Sequence, residues 1–198
     1  ILTGAATPTE AAGVGAFGAM LLAMIKGQLD WQNLRAAAQS TTLVTSMVFM
    51  ILIGAAIFSL VFRGFGGEQR VAEFFQQMPG GLFGATLLVM VVIFVLGFIL
   101  DFIEITFVVV PIVAPILLTM GLDPIWLGVM IAINLQTSFL TPPFGFALFY
   151  LRGVAPDSVH TADMYRGVLP YIGLQVVLML ILAVFPTIAT WLPSVVYP

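Results

Sequence analysis

Long apolar segments without charge alternate with short polar connectors along most of the chain. Three of the segments reach the roughly 20 residues that a membrane-spanning helix needs, namely residues 41–62, 82–100 and 167–192. A fourth, residues 105–122, is close to that length and contains Pro111 and Pro115, which predict a kinked helix. The pattern therefore predicts an all-α polytopic membrane protein.

The polar connectors cover residues 26–35, 63–81 and 152–167 and hold most of the charged side chains. The first and third each contain a short amphipathic piece with an aromatic residue, Trp31 or Tyr165, suited to the lipid headgroup level. We expect these two pieces to form helices that lie along the membrane interface.

Residues 124–152 form a different kind of apolar segment, too long for one helix and interrupted by Pro142 and Pro143. Each proline lacks an N–H and disfavours helix in the residue before it. The prediction is one helix over residues 125–136, a turn, and a returning helix over residues 144–151. Arms of this length, at about 1.5 Å per residue, reach only part way across a hydrocarbon core of about 30 Å. The segment thus predicts a re-entrant hairpin with its tip near mid-membrane.

The two ends of the chain share an order of features: a Thr-Pro pair, then an arginine in a connector, then an interrupted apolar span. The first set is Thr7-Pro8, Arg35 and Gly54, and the second is Thr141-Pro142, Arg166 and Pro186. Chance is one explanation in a chain rich in proline, and duplication is the other. Duplicated units with interrupted apolar segments are typical of secondary transporters. The expected organisation is a first repeat at 1–62, a connector at 63–81, a second repeat at 82–192 and a tail at 193–198.

Composition narrows the function classes. Of the 198 residues, 61% are hydrophobic and 8% charged, against about a quarter charged in soluble domains. A net charge of −3 without clusters argues against nucleic acid as a partner, and the lack of cysteine excludes disulfides and thiol chemistry. The chain begins inside an apolar pattern and without Met, so we expect it to be the C-terminal part of a longer protein.

The hairpin tip offers several neutral oxygens that could converge on one point. They come from Asn134, Thr137, Ser138 and Thr141 and from carbonyls freed by the break. Such oxygens suit a hard cation such as Na⁺, and a helix restarting near Phe144 would point N–H groups at a carboxylate. For any single hydroxyl, the alternative is a bond to a carbonyl of its own or a neighbouring helix.

Acidic residues near the apolar spans have two interpretations each. Asp101 and Glu104 are functional if they lie at membrane depth and ordinary if they cap a turn at the surface. Glu10, in "TPTE", is a predicted N-terminal capping acid. An intramembrane enzyme using Asp101 and Glu104 is one alternative function, and a passive channel or scaffold is another. Catalytic motifs such as HExxH, GxSxG and the P-loop are missing from the sequence, so we expect a protein that is not an enzyme.

Two stretches, "GAATPTEAAGVGA" at residues 4–16 and residues 96–156 with "TPPFGFALFYLRGVAP", resemble the large membrane subunit of tripartite ATP-independent periplasmic (TRAP) transporters. The second stretch is similar to the subgroup labelled mannitol/chloroaromatic or 2-oxoacid type. The resemblance implies an inverted-repeat, elevator-type fold and Na⁺-driven import of organic acids across the bacterial inner membrane. It also implies a small membrane subunit and a periplasmic substrate-binding protein as partners, and no cofactor beyond Na⁺ as the coupling ion.

The family's sodium sites lie at the two hairpin tips and the neighbouring helix breaks. The resemblance places the first at Gly4 to Thr7 with a break near Gly54 and Ala55. It places the second at Gly97, Ser138, Thr141 and Phe144, largely through backbone oxygens, with Ser138 standing where many members have Gly. Substrate or coupling candidates are Asn134, Thr137 and Asp101.

Overall fold

The computed structural model describes residue 4 and residues 6–142, 146–156 and 159–196. All regular structure in that part is helical, which confirms the predicted all-α class. The helices are α1 (Pro8–Ile25), α2 (Trp31–Gly64), α3 (Gly67–Gln76), α4 (Gly81–Leu96), α5 (Phe102–Glu104), α6 (Val110–Thr119), α7 (Pro124–Leu140), α8 (Phe146–Val154), α9 (Thr161–Val184) and α10 (Thr187–Val196), with a π-helical turn at Ile105–Val109. Among the described residues, α1, α2, the stretch Phe102–Thr119 and α9 are long and apolar enough to cross a membrane. The chain is therefore a multi-pass membrane protein, as predicted.

The chain divides into two compact units, Ile1–Met50 with Pro193–Pro198 and Ile51–Leu192. In the first unit, α1 begins at a capping box: the Glu10 amide donates to the Thr7 hydroxyl at 3.3 Å, and the Thr7 amide donates to the Glu10 carboxylate at 2.7 Å. Pro8 occupies the first helical turn, where no amide donor is needed. The predicted capping role of Glu10 is confirmed.

Helix α2 corrects two predictions. Trp31 and Arg35 belong to its first turns rather than to a separate interfacial helix, and the helix continues through Gly54 and Ala55 without a break. A lone glycine costs a helix only about 1 kcal/mol and keeps its N–H, so the strongly apolar, helix-forming sequence on both sides prevails. Tyr165 likewise lies inside α9 and not in a separate interfacial piece.

The predicted connector at 63–81 contains α3. Phe75 on this helix is buried, and Arg63 forms an exposed salt bridge of 3.3 Å with Glu68 across the turn between α2 and α3. The Phe75 side chain therefore packs α3 into the core of the second unit.

Helix α4 ends at Leu96, four residues before the predicted end of its span, and Gly97 caps it. Asp101 then caps α5, and the chain continues through the π-helical turn into α6. The amide of Val110 donates to the carbonyl of Ile105, five residues back, just before Pro111. Where the prolines predict a kink, the structure has a π-helical turn directly before Pro111, a feature at which helices commonly bend.

Helix α7 lies at the centre of the second unit and packs against both α4 and α9. Helices α4, α6, α7 and α9 supply most of the buried side chains of this core, including Ala85, Val89, Ile93, Leu117, Leu127, Ile131 and Leu182. Because lipid is as apolar as these side chains, close packing and hydrogen bonds hold such helices together.

The hairpin segment forms α7 and α8, which contact each other. Helix α7 extends to Leu140, four residues beyond the predicted end of the first arm, so Asn134, Thr137 and Ser138 are helical. The physical reason is local: Pro142 disfavours helix only from the residue directly before it, Thr141, which is extended. Phe144 lies outside the described residues. Further along, α9 ends and α10 begins on either side of Pro186, where the sequence predicts an interruption.

Candidate functional site

The end of α4 touches the end of α7 at Gly97 and Ser138. A Cβ placed on Gly97 would lie 2.7 Å from the Ser138 Cβ and would collide with the Ser138 hydroxyl oxygen. The backbone of Gly97 is in the ordinary helical region, so the glycine is needed for space and not for its conformation. The structure therefore brings together two residues that the family resemblance assigns to one sodium site.

Three polar positions on the inner face of α7 are buried. Asn134 is 2% exposed, and Thr137 and Ser138 are fully buried. The side-chain amide of Asn134 donates to the carbonyl of Met90 at 2.7 Å, which ties α7 to α4 about one turn before the tip. Neither Met90 nor this bond has a signal in the sequence, because the two residues are 44 positions apart and the acceptor is main chain.

Each hydroxyl at the tip donates to a carbonyl of its own helix. The bonds are Ser138 Oγ to Leu135 O at 2.9 Å, Thr137 Oγ1 to Ile133 O at 2.7 Å and Thr141 Oγ1 to Thr137 O at 2.7 Å. This is the local alternative considered for a single hydroxyl. In these bonds each hydroxyl hydrogen points toward a carbonyl of the helix. The lone pairs of the hydroxyl oxygens are therefore the groups that a cation could use.

The electrostatics of the tip favour positive charge. Two helices, α4 and α7, present their carboxyl ends here, each equivalent to about half a negative charge. Residues 124–151 contain no charged side chain. Within the described part of the chain, no group of three or more His, Asp or Glu side chains could hold a metal ion. The oxygens that α7 itself offers to a cation at its end are therefore neutral.

The opposite side of α7 borders a cavity of about 560 Å³. Its lining is almost wholly apolar, with Thr106 from the π-helical turn and Gln136 as the polar members. Thr106 did not stand out in the sequence, because an isolated threonine in an apolar run carries no pattern of its own.

The remaining candidate residues lie elsewhere. In the first unit, the Thr7 hydroxyl is engaged by Glu10 at 2.9 Å, and Gly4 is exposed with a left-handed φ of 72°. In the second unit, Gly54 is in mid-helix, and a Cβ there would meet nothing within 4 Å. The close approach that distinguishes Gly97 is thus not found at Gly54.

Asp101 has the geometry of a helix cap. Its Oδ1 accepts the amide N–H of Phe102 at 2.7 Å, and Glu104 lies in the same short helix α5. An N-cap acid of this kind satisfies an amide that has no partner inside the helix.

Four helical stretches of spanning length, together with a buried polar cluster at the ends of two shorter apolar helices, define a multi-pass membrane protein with an internal polar site. Residues 1–188 match the family model of the tripartite ATP-independent periplasmic transporter, DctM component. The chain therefore belongs to this family.

Curated relatives agree with this family. The chain is 29% identical to the sialic acid TRAP transporter large permease protein SiaM of Vibrio cholerae over 98% of its length and 45% of that protein. It is 30% identical to the C4-dicarboxylate TRAP transporter large permease protein DctM of the same organism, over 76% of the chain and 33% of the relative. The ectoine TRAP transporter large permease protein TeaC of Halomonas elongata is 29% identical over the whole chain and 46% of its own length. The chain spans less than half the length of these relatives. By name these relatives are transporter permeases, in agreement with the family that the chain matches.

Proposed function

We propose that the protein containing this chain is the membrane permease of a Na⁺-coupled secondary transporter that imports organic acids. The observation that carries the proposal is the contact of Gly97 with Ser138, which sets the carboxyl ends of two interrupted helices against each other beside buried hydroxyls. Helix ends at unwound segments of this kind are where secondary transporters coordinate their coupling ions.

Na⁺ is the ion that this chemistry suits. Carbonyl and hydroxyl oxygens are hard, neutral ligands, and the two helix ends add negative potential without a carboxylate that would have to be desolvated. In the proposed site, backbone oxygens near Gly97 and Ser138 hold the ion, with Thr141 completing the tip. Phe144 keeps the role that the family resemblance implies. A second ion site at Gly4 and Thr7 in the first unit is part of the same proposal, with oxygens upstream of the Thr7 cap as ligands.

The substrate is an organic acid in this proposal. Helix α8 begins at Phe146 just beyond the tip, and a helix N-terminus attracts a carboxylate. Sialic acid and C4-dicarboxylates, named for two of the relatives, are carboxylates. Asn134 and Thr137 couple ion and substrate by fixing the tip, and Asp101 acts as the cap that holds the start of α5.

The partners follow from the tripartite system that the family name describes. We propose a small membrane subunit, a periplasmic protein that binds the substrate and delivers it, and a location in the bacterial inner membrane. Transport proceeds by an elevator movement of the hairpin and its packed helices against the rest of the permease. A passive channel is the competing function, and it predicts flux without the binding protein.

The proposal is tested with the complete permease, its small subunit and its binding protein in proteoliposomes. Thr141→Val removes the hydroxyl while keeping the side-chain shape, so the Na⁺ concentration for half-maximal uptake should rise. Thr141→Ser, which keeps the hydroxyl, is the matched control and should stay near the wild-type value. Unchanged Na⁺ dependence in Thr141→Val would count against the ion site at the tip, and uptake that needs neither Na⁺ nor the binding protein would favour the channel.

A further inference from the structure

The carbonyl of Leu182, near the end of α9, lacks its ordinary partner. In an α-helix this carbonyl would accept from the N–H of residue 186, and residue 186 is proline, which has no N–H. The helix accordingly ends at Val184. Leu182 is only 3% exposed, and a buried carbonyl without a hydrogen bond is costly.

Trp126 supplies the missing donor. Its indole Nε1–H donates to the Leu182 carbonyl at 2.8 Å, from a helix 56 positions away in the sequence. An indole has one donor and no acceptor, and a buried indole needs a partner as much as the carbonyl does. Trp126 is 9% exposed. One bond therefore satisfies two buried groups that belong to different helices.

The tryptophan is itself held firmly at the start of α7. Its main-chain N–H donates to the Asp123 carboxylate at 2.8 Å, which caps the helix. Ser138 lies twelve residues further along the same helix, at a distance of about 18 Å. Asn134 fixes that far end to α4. Helix α7 cannot slide along its axis without breaking the bond between Trp126 and Leu182.

We propose that Trp126 is a positioning residue that replaces the hydrogen bond removed by Pro186 and so fixes α7 against the break between α9 and α10. The axial position of Ser138 and Thr141 then depends on a residue at the opposite end of their helix. The hydrogen bond stands independently of any transport activity, whereas its effect on ion binding rests on the proposed function. The two parts are tested separately.

The bond is tested by hydrogen exchange of tryptophan indoles in the complete permease labelled with ¹⁵N-tryptophan. The signal that disappears in Trp126→Phe identifies the Trp126 indole. It should exchange at least about tenfold more slowly than the indole of Trp31, which is 76% exposed. Pro186→Ala supplies a competing main-chain N–H, so it should accelerate exchange at Trp126. Exchange as fast as that of Trp31, or exchange unaffected by Pro186→Ala, would overturn the proposal.

The positioning role is tested by a double-mutant cycle on Na⁺-driven uptake. Trp126→Phe should raise the Na⁺ concentration for half-maximal uptake about fivefold or more, the effect of leaving one buried acceptor unpaired, with the maximal rate within about twofold. In the Pro186→Ala background the same substitution should change it by less than about twofold, because the new N–H serves the carbonyl. Trp31→Phe, at a tryptophan that is 76% exposed, is the matched control and should change neither quantity.

Each contrary outcome has a distinct meaning. Equal effects of Trp126→Phe in both backgrounds would show that Pro186 is not what the tryptophan compensates. A lower maximal rate at unchanged half-saturation would indicate a purely structural residue and refute positioning. Wild-type uptake without Na⁺ dependence would refute the proposed function, while the exchange experiment would still decide the hydrogen bond.

Discussion

Replacing Gly97 by alanine is the sharpest perturbation of the contact between α4 and α7. The backbone of Gly97 accepts alanine, so the effect is confined to the added methyl group. That methyl would lie 2.7 Å from the Ser138 Cβ and closer still to its hydroxyl oxygen, whereas the nearest other atom, the Ile93 carbonyl oxygen, is 3.4 Å away. Ser138 is fully buried and its hydroxyl is bonded to Leu135, so it has no room to turn aside.

Overpacking of this kind costs about 1–3 kcal/mol. Because 1.4 kcal/mol is about tenfold in an equilibrium constant, ion binding that requires the closed contact should weaken about 5- to 140-fold. The measurement is the Na⁺ concentration for half-maximal uptake in proteoliposomes, with thermal unfolding in detergent recorded beside it. Gly173→Ala in α9, where a Cβ meets nothing within 4 Å, is the matched control. It should leave the half-maximal Na⁺ concentration and the unfolding temperature near their wild-type values.

A compensating substitution separates the steric explanation from others. Ser138→Gly removes both atoms that the new methyl would strike. Gly97→Ala should therefore have little effect when added to Ser138→Gly, even if Ser138→Gly alone weakens Na⁺ binding through loss of its hydroxyl. Equal effects of Gly97→Ala in the two backgrounds would refute the steric argument. A folded Gly97→Ala protein with wild-type Na⁺ dependence would exclude the contact from the ion site.

Three further substitutions test the other assignments. Asp101→Asn should retain uptake, because asparagine caps a helix as well as aspartate. Asp101→Ala should lower the free energy of unfolding, measured by melting in detergent, by about 0.5–2 kcal/mol. Loss of uptake in Asp101→Asn would show that the charge is needed. Asn134→Leu should lower the free energy of unfolding by about 0.5–1.5 kcal/mol, because the hydrogen bond to α4 is lost. Gln136→Leu, on the exposed side of α7, is the control and should change the free energy of unfolding by less than about 0.5 kcal/mol. Equal changes in the two variants would mean that the hydrogen bond contributes nothing. Thr7→Ala should accelerate amide hydrogen exchange in the first turn of α1. Glu10→Gln should not accelerate it, since glutamine also completes a capping box. Identical exchange in the two variants would show that the capping box does not protect this turn.

Features that depend on a single local cause could be predicted from the sequence. Pro142 interrupts the hairpin segment and Pro186 the last span, because each removes an N–H and its ring displaces the preceding turn. The cap formed by Thr7 and Glu10 is equally local, since both partners lie within four residues. At these positions the local sequence alone predicts the helix ends, and the structure confirms them.

Features that depend on tertiary context could not be predicted. Gly54 and Gly97 are both glycines within an apolar run, yet α2 continues through Gly54, whereas α4 ends at Gly97 against a neighbouring side chain. The difference is what lies opposite, since a Cβ at Gly54 would meet nothing and one at Gly97 would meet Ser138. The Asn134 side chain bonds to the main-chain carbonyl of Met90, 44 positions away, and the Trp126 indole to that of Leu182, 56 positions away. Neither the composition nor the periodicity of the sequence indicates such long-range bonds to the main chain.

Burial of polar groups by itself does not demand an ion at the tip of α7. Of the buried polar side chains in the described part of the chain, three lie at Asn134, Thr137 and Ser138, and each has a hydrogen-bond partner. A satisfied hydroxyl costs a membrane protein little, so these bonds alone would fit an ordinary helix interface. Pro142 accounts for where α7 ends, but neither the proline nor these bonds explain why that end lies directly against the end of α4, with Gly97 leaving no space between them. Two carboxyl helix ends repel each other unless positive charge lies between or beside them. That repulsion is the physical reason to expect a cation at this point, and it predicts that Na⁺ raises the unfolding temperature of the wild type more than that of Gly97→Ala.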